Sequence, residues 1–455
     1  MSGEGGGAMQ GVRRQRNAAQ IKGRGRTGSP TSSPSPPLFR ILALAGILAA
    51  CLAAYGASLR YDFVSDDLHL IVDRLPAYQK SFPIAEAFSH NFWKGGAYGA
   101  LPGEAKDYYR PLVTLSYAAD ARIWGARAFG FRLTNLLLHA VASWLVMLLL
   151  LRLGIGRAIA LAAALLFALH PIHVSNVAWI SGRTDLLCAV FLLIAYDRIV
   201  DSIDRRATID AGPGSVRAFG IGLLAYGLAL LSKEMAFSLV GLLALHAYLR
   251  RAEASRSGRP LPRWPWIELG GVVAVTVAFV LFRAAVLGLP DFGSGARSAA
   301  VPFRLGALPA ILTYYWRVLF LPAGLQLEVP FGPVSSALDP RVIVGSVMLA
   351  LQVVAAVILS RRGRIAGFGL GWMLVTLLPV SHLVPLVFRA IVTEYWLYIP
   401  SIGFVTTLAA CVPWALGRIR RGGTGAPARG ARHPGRGGTG RPGHDPVSMC
   451  AASLR

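Results

Sequence analysis

The sequence predicts an all-α polytopic membrane protein, on three observations. Of 455 residues, 54% are hydrophobic and only 15% charged, against roughly 25% charged in a soluble domain, and the mean hydropathy is +0.52. The apolar residues fall in long blocks such as Leu136–Leu151 and Ile221–Leu231. A block of ~20 apolar residues spans a bilayer as a helix. Backbone groups in lipid must bond within their own segment, so serial blocks mean serial helices. Finally, the formal net charge of +24 collects in the tails and in the connections between blocks. That is the positive-inside pattern and not the basic face of a nucleic-acid binder, so no nucleic-acid partner is expected.

Taken in order, residues 1–37 are rich in Gly, Ser, Pro and Arg and are expected to be a disordered basic cytoplasmic tail. The first span is Leu38–Leu59. A cleaved signal peptide is the rival reading, because Ala-Tyr-Gly-Ala is a passable cleavage site, but the apolar stretch is long enough to cross. Residues 60–130 form a long, aromatic-rich first outer loop. Further spans are expected near Phe131–Leu151, Ala158–Leu169, Asp185–Ile199, Ala218–Leu231, Met235–Leu249, Ile267–Leu287, Val342–Leu359, Ile365–Val380 and Trp396–Leu416. The connections Arg152–Arg157, Arg198–Arg217, Arg250–Arg263 and Arg361–Arg364 are basic, as is the tail from Arg418. All of them lie inside if the block Leu305–Leu321, which contains Arg317 and has prolines on both flanks, is a re-entrant or interfacial helix. The result is about ten spans in a membrane domain over 38–417, with both termini cytoplasmic, in the plasma (inner) membrane. Residues 418–455 form a second disordered tail, rich in Arg, Gly and Pro. Cys51, Cys188 and Cys411 lie within apolar blocks and Cys450 in the tail, which gives no disulfide framework and no cysteine-based metal site.

This topology gathers the polar motifs on the outer side. Asp66 and Asp67 follow the first span. Adjacent carboxylates repel, so one can hold its proton to raised pH, and a carboxylate at a water-accessible membrane edge can act as a general base. They equally suit a divalent cation or a solvated turn with a helix cap. His170 and His173 flank Pro171; zinc uses such pairs, but no third ligand is nearby in sequence, and packing in the aromatic belt is the alternative. Arg183 and Asp185 close the same turn, by themselves an ordinary ion pair. Lys233 and Glu234 interrupt an apolar run, which is expensive unless they face water or each other; a mutual ion pair and a site for an anionic headgroup both fit. Arg110 and Arg389 are candidate phosphate ligands, since guanidinium matches phosphate oxygens. His139, on an apolar helix, is expected to be buried and hydrogen-bonded.

Together these motifs resemble the transmembrane-and-tetratricopeptide-repeat O-mannosyltransferases and their bacterial relatives, which share the GT-C glycosyltransferase fold. The resemblance runs in order through Phe63-Val-Ser-Asp-Asp67, Tyr109-Arg-Pro-Leu112, Gly130-Phe-Arg-Leu-Thr-Asn-Leu-Leu-Leu-His139, Leu169-His-Pro-Ile-His173, Ser181-Gly-Arg-Thr-Asp185, Ser232-Lys-Glu234 and Glu394-Tyr-Trp-Leu-Tyr-Ile-Pro-Ser-Ile-Gly403. It implies transfer of a sugar, mannose first, from a polyprenyl-phosphate donor to an acceptor hydroxyl on protein or glycan at the outer face. Asp66 aligns with the base and Asp67 with its partner. The resemblance implies Arg110, His170, His173, Arg183, Asp185, Lys233, Glu234, Glu394 and Tyr398 as donor-phosphate or substrate contacts, with Arg389 a substitute for a cation otherwise missing. No metal ligand is implied, though a divalent cation remains compatible. The relatives usually carry Arg where this chain has Tyr395, and an acidic residue where it has Ser175-Asn176. No 34-residue repeat is present; the basic tail reads as an anchor or as the product of a truncated or frame-shifted gene, with activity reduced or lost in the latter case. Transfer of another sugar to a lipid or envelope glycan is the nearest alternative. A transporter or flippase, with charges near the midplane, and a membrane scaffold are alternatives of other classes.

Overall fold

The computed structural model describes residues 36–94, 108–207, 212–288, 304–327, 329, 334, 336–362, 364–380 and 392–422, the side chains of 304–307, 362, 364 and 414–422 aside. Regular structure among them is entirely helical. Five helices are long and apolar enough to cross a membrane: Pro37–Tyr55 with its 3-10 extension to Arg60, Ala128–Arg152, Pro213–Leu230, Trp266–Leu287 and Pro340–Arg361; the bent pair Arg157–Leu169 and Pro171–Val177 makes a sixth. Ile365–Val380 and Pro400–Pro413 are apolar but shorter. The tails before residue 36 and after 422, and Arg389, lie outside the described residues.

The chain is numbered here as α1 Pro37–Tyr55, α2 Asp66–Leu70, α3 Leu75–Lys80, α4 Ile84–Ser89, α5 Pro111–Trp124, α6 Ala128–Arg152, α7 Arg157–Leu169, α8 Val174–Val177, α9 Arg183–Ala207 and α10 Pro213–Leu230. There follow α11 Ser238–Arg256, α12 Trp266–Leu287, α13 Arg304–Phe320, α14 Pro340–Arg362, α15 Arg364–Leu377 and α16 Pro400–Gly422. The loop expected over 60–130 is partly helical, since α2 to α5 occupy it. The spans expected to start at Met235 and Trp396 start later, because Glu234–Phe237 and Glu394–Leu397 are 3-10 turns. Proline ends α7: Pro171 cannot continue it, the two segments meet at 50°, and the His170 side chain accepts a hydrogen bond from Ile172 N.

Helix α9 is the central element. Leu186, Cys188, Ala189, Leu192, Ala195, Tyr196 and Ile199 are all fully buried, so its apolar surface faces protein on most sides. It can therefore carry the charges of its two ends without the uniformly apolar surface that lipid contact requires. By contrast α12 leaves Val273, Val277, Leu281 and Phe282 exposed, as a lipid-facing helix does. Against α9 lies a stripe of small residues on α10, with Ala218, Gly222, Ala225 and Ala229 buried. Small residues let helix backbones approach closely in lipid. A Cβ on Gly222 would stand 2.5 Å from Ile199 Cγ1, closer than two carbons can pack. At the far end of the bundle, Arg152 pairs with Asp197 at 2.8 Å and Asp204 at 2.9 Å, and Arg206 with Glu268 at 3.1 Å, tying α6, α9 and α12.

A Gly222→Val chain is expected to unfold more readily by about 1–3 kcal/mol, the usual penalty for overpacking, measured as denaturant unfolding in detergent. An unchanged midpoint would show that the α9–α10 contact is looser than described.

Candidate active site at one end of the bundle

The site grows out of the turn after α1. Asp67 N donates to Val64 O at 3.1 Å, which closes Val64-Ser65-Asp66-Asp67 into a β-turn. Ser65 sits at φ 50°, ψ −123°, the first central position of a type II′ turn, where glycine is favoured. It is the one non-glycine residue with positive φ among the described residues, and such strain gathers at functional sites. The turn is held by Asp67, which is fully buried. Its Oδ1 accepts from Ser181 N at 3.0 Å and Ser181 Oγ at 2.7 Å, and its Oδ2 from Val64 N at 3.3 Å. Burial pushes the Asp67 carboxyl above its ordinary range, while the Ser181 and Val64 hydrogen bonds pull the other way. Asp66, next to it, is only half-buried. The two carboxylates are thus unlike: one is locked into the scaffold and the other reaches partly to solvent.

Ser181 is presented by a turn that needs glycine. A Cβ on Gly182 would stand 2.5 Å from Asn176 O, and that contact is with backbone that cannot swing aside. Asn176 in turn donates to Tyr395 O at 3.1 Å, so three of the sequence motifs meet here through main-chain contacts.

Val64 and Ser65 form one lip of a cavity of about 400 Å³, with Arg132, Ser175 and Trp179 on its wall and Glu394 facing them. Glu394 Oε1 accepts from Gln326 N at 2.9 Å and from the Tyr314 hydroxyl. Arg132 is 2% exposed and donates to Tyr61 O at 3.1 Å and to the carbonyls of Asp62 and Ala178. It clamps the strand entering the Ser65 turn to the segment after α8. The candidate list missed Arg132, Ser181, Tyr314 and Gln326. Arg132 did carry a signal, since Arg132, Asn135 and His139 follow a helical spacing on one face of an apolar helix, where buried polar groups are costly and need partners.

The charged motifs exchange partners relative to the sequence expectations. Arg183 does not pair with Asp185. It is 0% exposed, contacts Asp120 Oδ2 at 2.6 Å, and donates to Asn135 Oδ1 at 2.8 Å, Phe131 O at 2.7 Å and Ser116 O at 3.2 Å. Its plane also lies over the Tyr117 ring. Nor does Lys233 pair with Glu234: Lys233 Nζ meets Asp185 Oδ1 at 2.6 Å, and Arg110 Nη2 meets Glu234 Oε2 at 3.1 Å. The physical reason is the turn. Lys233 is extended, at φ −162° and ψ 148°, so successive side chains point to opposite faces and each finds a partner on a different element. Lys233 also lies 5.1 Å from the Tyr395 ring centroid.

The histidines go to the core. His170 Nδ1 accepts from Ile172 N at 3.2 Å, so Nε2 donates to Leu319 O at 3.0 Å. His173 is fully buried against Phe167 and Tyr398. Tyr398 hydrogen-bonds His139 Nδ1 at 2.7 Å, and His139 Nε2 donates to Ala168 O at 2.9 Å. His139 is therefore a satisfied core histidine. Tyr398 and the His170–His173 pair brace the junction of α7, α8 and α16.

With fold and site described, the class is that of an all-helical membrane protein whose motifs converge at one end of its bundle. Among curated proteins, the chain is similar to the TMTC protein O-mannosyl-transferases. It is 27% identical to human protein O-mannosyl-transferase TMTC4 over 426 residues, 83% of this chain and 56% of that one. It is 31% identical to human TMTC1 over 224 residues, 48% of this chain and 25% of that one. It is 35% identical to Drosophila melanogaster Tmtc1 over 158 residues, 34% of this chain and 17% of that one. The chain thus spans about half the length of the TMTC4 relatives that it matches over most of its own length. No family model matches, and no solved structure does.

Two stability outcomes follow from the geometry. Lys233→Met leaves Asp185 as a buried unpaired charge and is expected to cost ~3–5 kcal/mol, whereas Lys233→Met with Asp185→Leu recovers most of that loss. Equal losses in the single and double variants, read from unfolding in detergent, would remove the pair from the scaffold. Ser65→Gly is expected to raise stability by about 1 kcal/mol through relief of the positive φ; a loss in the same measurement would mean that the serine side chain outweighs the strain.

Proposed function

We propose that this chain is a GT-C-type membrane glycosyltransferase of about ten spans, with its termini in the cytoplasm of a plasma (inner) membrane. It moves a sugar, mannose first, from a polyprenyl-phosphate donor to a hydroxyl of a protein at the outer face. The observation that carries this reading is the meeting of the motifs that resemble those of protein O-mannosyl-transferases at one end of the bundle, where Ser65, the residue before the half-buried Asp66, lines a cavity opposite Glu394. Asp66 takes the proton of the acceptor hydroxyl, the acceptor oxygen bonds to the anomeric carbon, and the bond from that carbon to the lipid phosphate oxygen breaks. The electron pair leaves with the phosphate, and the configuration inverts. Asp67, bound by three donors, positions the turn and keeps Asp66 aimed. Arg132, Arg183 and the Asp185–Lys233 and Glu234–Arg110 pairs hold the wall of the site. The segment α13, which carries three charged or proline interruptions (Arg304, Pro309 and Arg317), lies across the outer face without crossing.

The direct test is incubation of purified protein with a panel of polyprenyl-phosphate sugars and a Ser/Thr-containing acceptor, with products identified by mass spectrometry. Asp66→Asn keeps size and removes the base, so transfer is expected to fall by roughly 10²–10⁴-fold while donor binding survives. Asp67→Asn is expected to lower thermal stability as well as rate. Full turnover in Asp66→Asn would remove the mechanism, and product with unaltered anomeric configuration would remove the single-displacement step.

A further inference from the structure

The cations of the sequence motifs are engaged: Arg110, Arg183 and Lys233 each face a carboxylate, and Arg132, which lines the first cavity, faces three carbonyls. A different arginine has no such partner. Between α13 and α14 lies a second cavity of about 600 Å³, with Trp316, Leu321 and Met348 among its apolar walls and Tyr314, Arg317 and Arg341 among its polar ones. Arg341 pairs with Asp339 at 2.6 Å. Arg317 is exposed, and its guanidinium rests 5.1 Å from the Tyr314 ring centroid. Among the described residues no carboxylate pairs with it.

Two properties of this groove define a ligand. Its mouth is apolar, with Phe320 and Leu321 each 64% exposed, which suits a hydrocarbon chain entering from the bilayer. Its lining also carries two arginines, of which Arg341 pairs with Asp339 and Arg317 faces no carboxylate among the described residues. An arginine at an apolar membrane surface is expensive unless it meets an anion or water, and guanidinium is the cation best matched to phosphate. The groove also adjoins the first cavity. Tyr314 is the link: it lines the groove with its ring beside Arg317, and its hydroxyl donates to Glu394, which lines the cavity beside Ser65.

We propose that the α13–α14 groove holds a single-chain polyprenyl phosphate, with Arg317 as the phosphate ligand and Tyr314 as the partition between lipid phosphate and acceptor cavity. This rests on the reading of the donor given above, and it moves the phosphate away from the buried cations offered by the motifs. A polyprenyl chain fits better than a two-chain lipid because one hydrocarbon chain enters a groove flanked by aromatic rings. Only this lipid also carries a group to be delivered past Tyr314.

The test is binding, which needs no turnover. Full-length protein in detergent is titrated with a short-chain polyprenyl phosphate, with neutral polyprenol and phosphatidylglycerol as competitors, and a photoreactive polyprenyl phosphate marks the contact residues. Arg317→Gln is expected to weaken binding about tenfold or more, Arg317→Lys less, with both variants keeping the melting temperature. Polyprenol and phosphatidylglycerol are expected to compete poorly, and labelling to fall on Trp316 or Met348. Unchanged affinity in Arg317→Gln overturns the site. So does equal competition by polyprenol, which means an apolar groove only, or by phosphatidylglycerol, which means a general headgroup contact. If Arg317→Gln fails to fold, the labelled positions in the unaltered protein decide. A chain that binds through Arg317 but transfers no sugar sinks the reading of function and keeps the site; one that transfers sugar and ignores Arg317→Gln sinks the site alone.

Discussion

A guanidinium without exposed surface stands at the head of the central helix, and much of the site depends on how it is satisfied. Arg183 opens α9 and is engaged by groups from α5 and α6 at once, including Asp120, Asn135 and the carbonyl of Phe131. Removing a buried charge from water costs several kcal/mol per ion, recovered only where geometry and hydrogen bonds are both good. Such a group therefore fixes three helices in one relative placement. The Ile180–Gly182 turn, which precedes it, is fixed with them, and that turn supplies two of the three donors that lock Asp67.

The same logic runs through the second charged layer. Asp185, two residues along α9, meets Lys233 from the turn between α10 and α11, while Glu234 meets Arg110 at the start of α5. Cations and anions are equal in number here, so the layer is neutral and holds the fold without drawing in an anionic ligand. Arg317, in the groove between α13 and α14, faces no carboxylate among the described residues.

Strain and lock work as a pair at the turn before α2. Ser65 is held in a conformation that glycine prefers, and the hydrogen bonds of Asp67 and the clamp of Arg132 on the carbonyls of Tyr61 and Asp62 keep it there. Adjacent carboxylates with identical chemistry acquire different surroundings. Asp67 points into protein and is fully buried, and Asp66 keeps part of its surface. A turn of this kind can hold one group rigid and present the next.

Much of the architecture was legible in the residues themselves. Apolar block length dictates helices, because lipid offers the backbone no other hydrogen-bond partner. Proline after His170 dictates a break, and small residues on α10 permit a close neighbour. The ordered motifs from Phe63 to Gly403 pointed to the relatives, since residues that share a site keep their order along the chain. What sequence could not decide was pairing. Arg183 next to Asp185, and Lys233 next to Glu234, look like local ion pairs, yet each finds its counter-charge on another helix. Direction is the reason: neighbouring side chains on a strand-like turn point apart, and a helix head faces whatever packs against it. The separate fates of Asp66 and Asp67, and the removal of the histidines into the core, likewise came from tertiary contacts between segments more than a hundred residues apart. Local chemistry fixed which groups are present and which helices form; packing alone decided which of those groups meet one another and which are left to meet a substrate.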